Sequence, residues 1–203
     1  APTVPPKRSI QAVAFSPKAQ LIATARYGEV ELVNPVNQVT VRKLTGFTGK
    51  VNAVAFSPDG ETVYAAGGEA GIVGIVRSWK TSDGTAQRSF EGHTDAAYAL
   101  AVSPDGKFIA TGAYDQKIRH WDTATGKEKW KQVNGDPKKG ETYTGNLLIA
   151  NDKVVMGTSG AEFGVRCHVT AYSLADGKKL WRAYSMGPDA DILVDPEKTM
   201  SLG

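Results

Sequence analysis

The sequence predicts an all-β fold built from four repeated units of four short strands. Three observations carry this. First, one phrase recurs, as Val13-Ala-Phe-Ser-Pro17, Val54-Ala-Phe-Ser-Pro-Asp-Gly60 and Leu100-Ala-Val-Ser-Pro-Asp-Gly106, with its serines Ser16, Ser57 and Ser103 spaced by 41 and then 46 residues. Second, apolar runs rich in β-branched and aromatic residues alternate with Pro-Asp-Gly, Asp-Gly and Thr-Gly turns, the grammar of hairpins. Third, no window of about 11 residues or more carries helical periodicity. Four strands in about 45 residues make one blade of a β-propeller.

In chain order, residues 1–8 form an extended arm, because closely placed prolines exclude a helix. Blades follow at 9–50, 51–96, 97–140 and 141–185, and 186–203 form a C-terminal arm. The fourth blade opens on a weaker copy of the phrase, Leu148-Ile-Ala-Asn-Asp-Lys153. Within the later blades an aromatic residue, a turn and a second aromatic residue succeed one another, as in Trp121-Asp-Thr-Ala-Thr-Gly-Lys-Glu-Lys-Trp130 and Tyr172-Ser-Leu-Ala-Asp-Gly-Lys-Lys-Leu-Trp181.

Composition narrows the function classes. Hydrophobic residues make up 41% and charged residues 22%, which excludes a disordered chain, a collagen-like chain and a coiled coil. A net charge of +3 gives no case for a nucleic-acid partner. No apolar run reaches the roughly 18 to 20 residues that span a bilayer, so no membrane segment is expected. The single cysteine, Cys167, excludes an internal disulfide framework and an all-cysteine zinc site. The first residue, Ala1, reads as a mature end left by signal cleavage or as an arbitrary start.

Residues 9–133 resemble WD40 repeats. Blade three matches best: Gly92-His93 precedes it, Asp115 occupies a tight turn, and Trp121-Asp122 closes the third strand. The resemblance implies that His93, Thr111, Asp115 and Trp121 form a hydrogen-bonded set that staples the blade. Blade two has Trp79-Lys80 where the Trp-Asp pair falls, and blade one has Val33-Asn34, with Gly46-Phe47 in place of Gly-His before blade two. Those two blades are expected to rely on packing alone.

Residues 138–203 resemble a blade of the quinoprotein methanol dehydrogenases, of the lanthanide-using branch, through Gly157-Thr-Ser-Gly-Ala-Glu-Phe-Gly-Val-Arg-Cys-His-Val-Thr-Ala-Tyr172 and Leu180-Trp-Arg-Ala-Tyr-Ser-Met-Gly-Pro-Asp189. That family carries a tryptophan-docking phrase, here Ala171-Tyr-Ser173-Leu-Ala-Asp-Gly177-Lys178-Lys-Leu-Trp181, with Ser173 in place of the usual Asp. Blade three satisfies both grammars, since Asp122-x-x-Thr125-Gly126-Lys127-x-x-Trp130 is also a docking phrase. The chain therefore reads as a hybrid of two propeller lineages, joined by design or by recombination, with a seam between about 126 and 141.

The quinoprotein resemblance implies a site for pyrroloquinoline quinone (PQQ) with Ca²⁺ or a lanthanide. Thr144, Ser159, Gly160 and Ala161 would touch the quinone, and Glu162 would bind the metal. Hydroxyls and close backbone amides suit an anionic tricarboxylate, and a hard cation takes carboxylate oxygen. The set is incomplete, because one carboxylate falls short of the six to eight oxygens that Ca²⁺ takes. The expectation is therefore no cofactor, with PQQ and Ca²⁺ or a lanthanide as the alternative. His93, His120 and His168 share no zinc spacing, and Cys167 and His168 point to opposite strand faces.

Four blades leave an open arc with two apolar faces. Two copies meeting head to tail would complete an eight-bladed ring, so a homodimer is expected. Four blades closing alone, or docking on a protein partner, are the alternatives. The C-terminal arm reads as a phrase cut short. The functional expectation is a non-catalytic scaffold or protein-interaction platform that self-assembles by completing a ring. The rival is part of a periplasmic PQQ-dependent alcohol dehydrogenase, and a third reading is an accessory module for such an enzyme. A periplasmic or secreted location follows from the quinoprotein resemblance.

Overall fold

A computed structural model describes residues 9–134, 138, 146–158 and 167–184. All regular elements among them are strands, apart from the single 3₁₀ residue 138. Blade one holds β1 (Ala12–Phe15), β2 (Ile22–Ala25), β3 (Tyr27–Val33) and the first part of β4 (Thr40–Phe56). Blade two holds the rest of β4, β5 (Thr62–Glu69), β6 (Val73–Lys80) and β7 (Ala86–Ser89). Blade three holds β8 (Ala97–Val102), β9 (Phe108–Ala113), β10 (Lys117–Asp122) and β11 (Glu128–Val133). Blade four holds β12 (Leu147–Ala150), β13 (Lys153–Gly157), β14 (His168–Ser173) and β15 (Lys179–Tyr184). Every paired neighbour is antiparallel, and sequence order is spatial order within each sheet, as a β-propeller requires.

The break expected at residue 50 is not a break in the strand. β4 runs 17 residues, pairs first with β3 and then with β5, and joins blades one and two into a seven-stranded sheet. Elsewhere the recurring phrase explains the hairpins. Ser57 and Ser103 hydroxyls accept the Thr62 and Phe108 N–H groups at 2.9 and 3.0 Å, tying the two strand ends together. Asp59 and Asp105 carboxylates accept the Glu61 and Lys107 N–H groups at 2.9 and 3.1 Å, which closes each Pro-Asp-Gly turn.

Side chains alternate across each strand, so each blade offers one face to the blade before it and one to the blade after. Ala23, Val30, Leu32 and Leu44 of blade one pack on Val51, Val63 and Trp79 of blade two. Tyr64, Val76 and Phe90 of blade two pack on Ile109 and Trp121 of blade three. Ile118 and Trp130 of blade three pack on Leu147, Ile149, Val154, Met156 and Tyr172 of blade four. The cores thus lie between blades rather than inside them, and stability is expected to propagate from neighbour to neighbour. The innermost strands of all four blades line one central cavity of about 450 Å³, through Ala12, Asn52, Tyr98 and Leu147.

Among the described residues, one buried imidazole has both ring nitrogens bare. His120 stacks between Phe108 and Trp130, with ring centroids at 4.8 and 5.0 Å, and neither ring nitrogen has a hydrogen-bond partner. Burial, helped by the Lys129 charge and opposed by Asp122, lowers its pKa from 6.5 to about 4. The unfolded chain therefore binds a proton near pH 6.5 that the folded chain refuses. Folding stability should be full above pH 6.5 and fall as the pH drops toward 4, by up to about 1.4 kcal/mol per pH unit. Urea unfolding across this range should show that fall in the native protein and a flatter profile in His120→Phe. Equal slopes in the two proteins would contradict the assignment.

Candidate functional site

Blade three is held by a polar chain in a dry place. His93 Nδ1 lies 3.0 Å from Asp115 Oδ2, His93 Nε2 lies 2.7 Å from Thr111 Oγ1, and the Trp121 Nε1–H donates to Thr111 Oγ1 at 2.8 Å. The Asp115 carboxylate only accepts, so His93 Nδ1 carries the hydrogen, Nε2 accepts from the Thr111 hydroxyl, and Thr111 accepts from Trp121. Each polar atom in the chain is satisfied, the condition for such a network to stabilise. Burial pushes the Asp115 carboxyl up. Bonds from His93 and the Thr94 and Lys117 N–H groups outweigh that and hold its pKa below the usual value. Arg119 lies over the Trp121 ring and pairs with Glu128. A Cβ on Gly92, whose φ is 150°, would sit 2.8 Å from Arg119 Nη1 and 3.3 Å from the Trp121 ring.

Blade two replaces the polar chain by an aromatic contact. Phe47 takes the His93 place and packs on Trp79 at 5.9 Å between ring centroids. Blade one does not rely on packing alone as expected. Arg26 pairs with Glu31 at 2.8 Å, and Lys43 reaches both Glu29 and Glu31 at 3.2 Å. Burial raises the Glu31 carboxyl, but bonds from Lys43 and Arg26 leave its pKa lowered.

Between blades a second device recurs. The loop joining the third and fourth strands of each blade closes in the same way, with Gln38, Gly84, Gly126 and Gly177 each donating to the carbonyl four residues back. All four residues have a left-handed backbone, with φ of 59°, 78°, 74° and 73°. Four residues further on stand Arg42, Arg88, Trp130 and Trp181. Trp130 reaches across to blade four, lies on Gly177 and donates its Nε1–H to the Leu174 carbonyl at 2.9 Å. Arg88 does the same to blade three. It lies over Gly126 and donates its Nε–H to the Thr123 carbonyl, the counterpart of Leu174, at 3.1 Å. Arg42 lies over Gly84 of blade two. The docking phrase was legible for Trp130. Arg88 was missed, although its place four residues after the turn glycine marks it.

At blade four, no described residue covers the docking position. Trp181 is 44% exposed where Trp130 is 8% exposed, and Leu148 and Val169 on the same face are also exposed. Val13 and Phe15 are exposed on the outer face of blade one. The residues implied for quinone and metal binding, Thr144, Ser159, Gly160, Ala161 and Glu162, lie outside the described residues. Among the described residues no group of three His, Cys, Asp or Glu could hold a metal ion. His168 is buried against Tyr184 and Thr170, and Cys167 is half-buried.

Hairpin repeats, a Trp–Thr–His–Asp chain and interblade docking define the class, a β-propeller. The family model described as "WD domain, G-beta repeat" matches residues 38–75 and 84–122. The particular likeness is to quinoproteins. The lanthanide-dependent methanol dehydrogenase of Methylorubrum extorquens is 61% identical over 99 residues, covering 49% of this chain and 16% of that protein. The lanthanide-dependent methanol dehydrogenase of Methylacidiphilum fumariolicum is 47% identical over 93 residues, 46% of this chain and 15% of that protein. Subunit 1 of the cytochrome c methanol dehydrogenase of Methylorubrum extorquens is 42% identical over 99 residues, 47% of this chain and 16% of that protein. The chain thus spans about 16% of the length of the first of these relatives. A 99-residue match cannot be contained in 138–203.

Two measurements check the site. Thr111→Val leaves His93 Nε2 and the Trp121 N–H unpaired in a dry interior and should cost about 2–4 kcal/mol in urea unfolding. Gly126→Ala and Gly177→Ala carry the same left-handed strain. The added Cβ would lie 3.5 Å from Arg88 in the first and 2.6 Å from the Trp130 ring in the second. Gly177→Ala should therefore cost about 1–3 kcal/mol more than Gly126→Ala. Equal losses would mean that Trp130 does not dock as described.

Proposed function

We propose that the chain is a non-catalytic β-propeller scaffold, a protein-interaction platform whose open blade face is completed by a further blade. One observation carries this reading: Trp181 stands in the docking position, within a docking phrase that departs only at Ser173, yet it is 44% exposed. Trp130 on Gly177 and Arg88 on Gly126 indicate what such a face takes, namely a four-stranded blade offering a turn carbonyl above a glycine. The partner is thus a protein bearing blades of this kind. A periplasmic or secreted setting follows from the quinoprotein likeness.

The 61% identity to a lanthanide-dependent methanol dehydrogenase favours a second reading, in which the fourth blade contributes to a PQQ and lanthanide or Ca²⁺ site finished by other segments. This chain alone does not fit that group. Glu162 is one carboxylate against the six or more oxygens a hard cation takes, and no step is assigned through it.

Trp79, Trp121 and Trp130 are buried, so the fluorescence that acrylamide quenches belongs to Trp181. A cyclised hairpin carrying residues 168–184, with its own Trp181 replaced by Phe, should shift that emission saturably. The shift should vanish in Trp181→Ala protein and with a hairpin bearing Gly177→Ala. No shift with the intact hairpin overturns the platform reading. Saturable binding of PQQ with La³⁺ that Glu162→Ala abolishes would replace it by the second.

A further inference from the structure

We infer that Gln38 is a steric guard that keeps two copies of this chain from closing on each other through Trp181. The inference rests on the docking reading of blade four's outer face and names a partner that this face rejects.

Blades two, three and four receive the preceding blade over Gly84, Gly126 and Gly177. Blade one carries Gln38 at that position, in the same left-handed conformation and with the same turn bond, from its own N–H to the Asn34 carbonyl at 2.9 Å. Beside the Arg26, Glu31 and Lys43 charges, blade one's outer face carries parts of the acceptor pattern. Its outer face bears Ile22, Thr24 and Val33 at the register positions where blade three bears Ile109, Thr111 and Trp121. The carbonyl of Pro35 stands where those of Thr123 and Leu174 accept a docking N–H.

The donors decide how strict the requirement is. A Cβ on Gly126 would meet Arg88 at 3.5 Å, an ordinary contact, so an arginine tolerates a side chain beneath it. A Cβ on Gly177 would meet three atoms of the Trp130 ring at 2.6, 2.8 and 2.9 Å, an overlap that a rigid indole held between two blades cannot absorb. The outer face of blade four presents a tryptophan, the strict donor, and blade one presents the one turn residue of these four that carries a Cβ. Gln38 also takes on left-handed backbone strain that glycine would remove. A clash held in place against one particular partner is a means of specificity. The ring-completing homodimer expected from the sequence is disfavoured on this ground. The Trp181 face is reserved for a blade whose turn holds glycine.

Light scattering on a sizing column over a dilution series tests the guard. The native chain and Gln38→Asn should stay at 21.6 kDa, since asparagine tolerates the left-handed turn but keeps a Cβ. Gln38→Gly should move toward twice that mass, with self-association tighter by about tenfold or more, and adding Trp181→Ala should return it to monomer. A native dimer that Trp181→Ala dissolves overturns the inference, and so does a Gln38→Gly chain that stays monomeric. If the 168–184 hairpin shifts Trp181 emission while Gln38→Gly stays monomeric, the guard fails and the platform stands. If the hairpin fails too, the platform itself falls.

Discussion

A flat N–H donor laid on a turn is the contact on which the order of the blades depends. A blade has two apolar faces and cannot bury either one alone, so its fold is complete only against its neighbours. Alternation along each strand supplies the apolar faces but not their alignment. Trp130 on Gly177 and Arg88 on Gly126 supply it, because the hydrogen bond to one carbonyl sets both the distance and the angle between blades. An arginine performs the task as well as a tryptophan because both offer a planar N–H group at the end of a side chain of similar reach.

Within blades the chain uses three different cements. Blade three has a buried polar chain in which each member is satisfied, blade two stacks Phe47 on Trp79, and blade one carries a half-exposed cluster of Arg26, Glu29, Glu31 and Lys43. They respond differently to the medium. The aromatic contact ignores pH, the surface ion pairs weaken with salt, and the polar chain depends on Asp115 keeping its charge. His120 adds a weakness of its own, since its ring nitrogens are buried without partners beside the docking tryptophan. The contact between blades three and four is therefore the acid-sensitive one.

Much of this was legible beforehand. The Ser-Pro-Asp-Gly phrases mark hairpins because the Ser hydroxyl and Asp carboxylate answer backbone N–H groups a few residues away, a local matter. His93, Thr111, Asp115 and Trp121 lie up to 28 residues apart, and only their resemblance to a repeat family pointed to one network. The unbroken run of β4, the partners of Arg88 and the bare nitrogens of His120 were not legible, because each depends on which blade faces which residue. Gln38 carries no signal along the chain, because its place is defined by a backbone angle it shares with Gly84, Gly126 and Gly177. Thr144, Ser159, Gly160, Ala161 and Glu162 stand on resemblance alone.

The sequence by itself determined the class of fold, the strand-and-turn rhythm, the best stapled blade and the likeness to two propeller lineages. These follow from periodicity and short-range turn chemistry, which are written along the chain. The tertiary structure alone decided which planar donor meets which turn, which histidine goes without a partner, and which tryptophan remains uncovered. Those outcomes depend on distances between residues brought together from different blades, and no local pattern encodes such a distance.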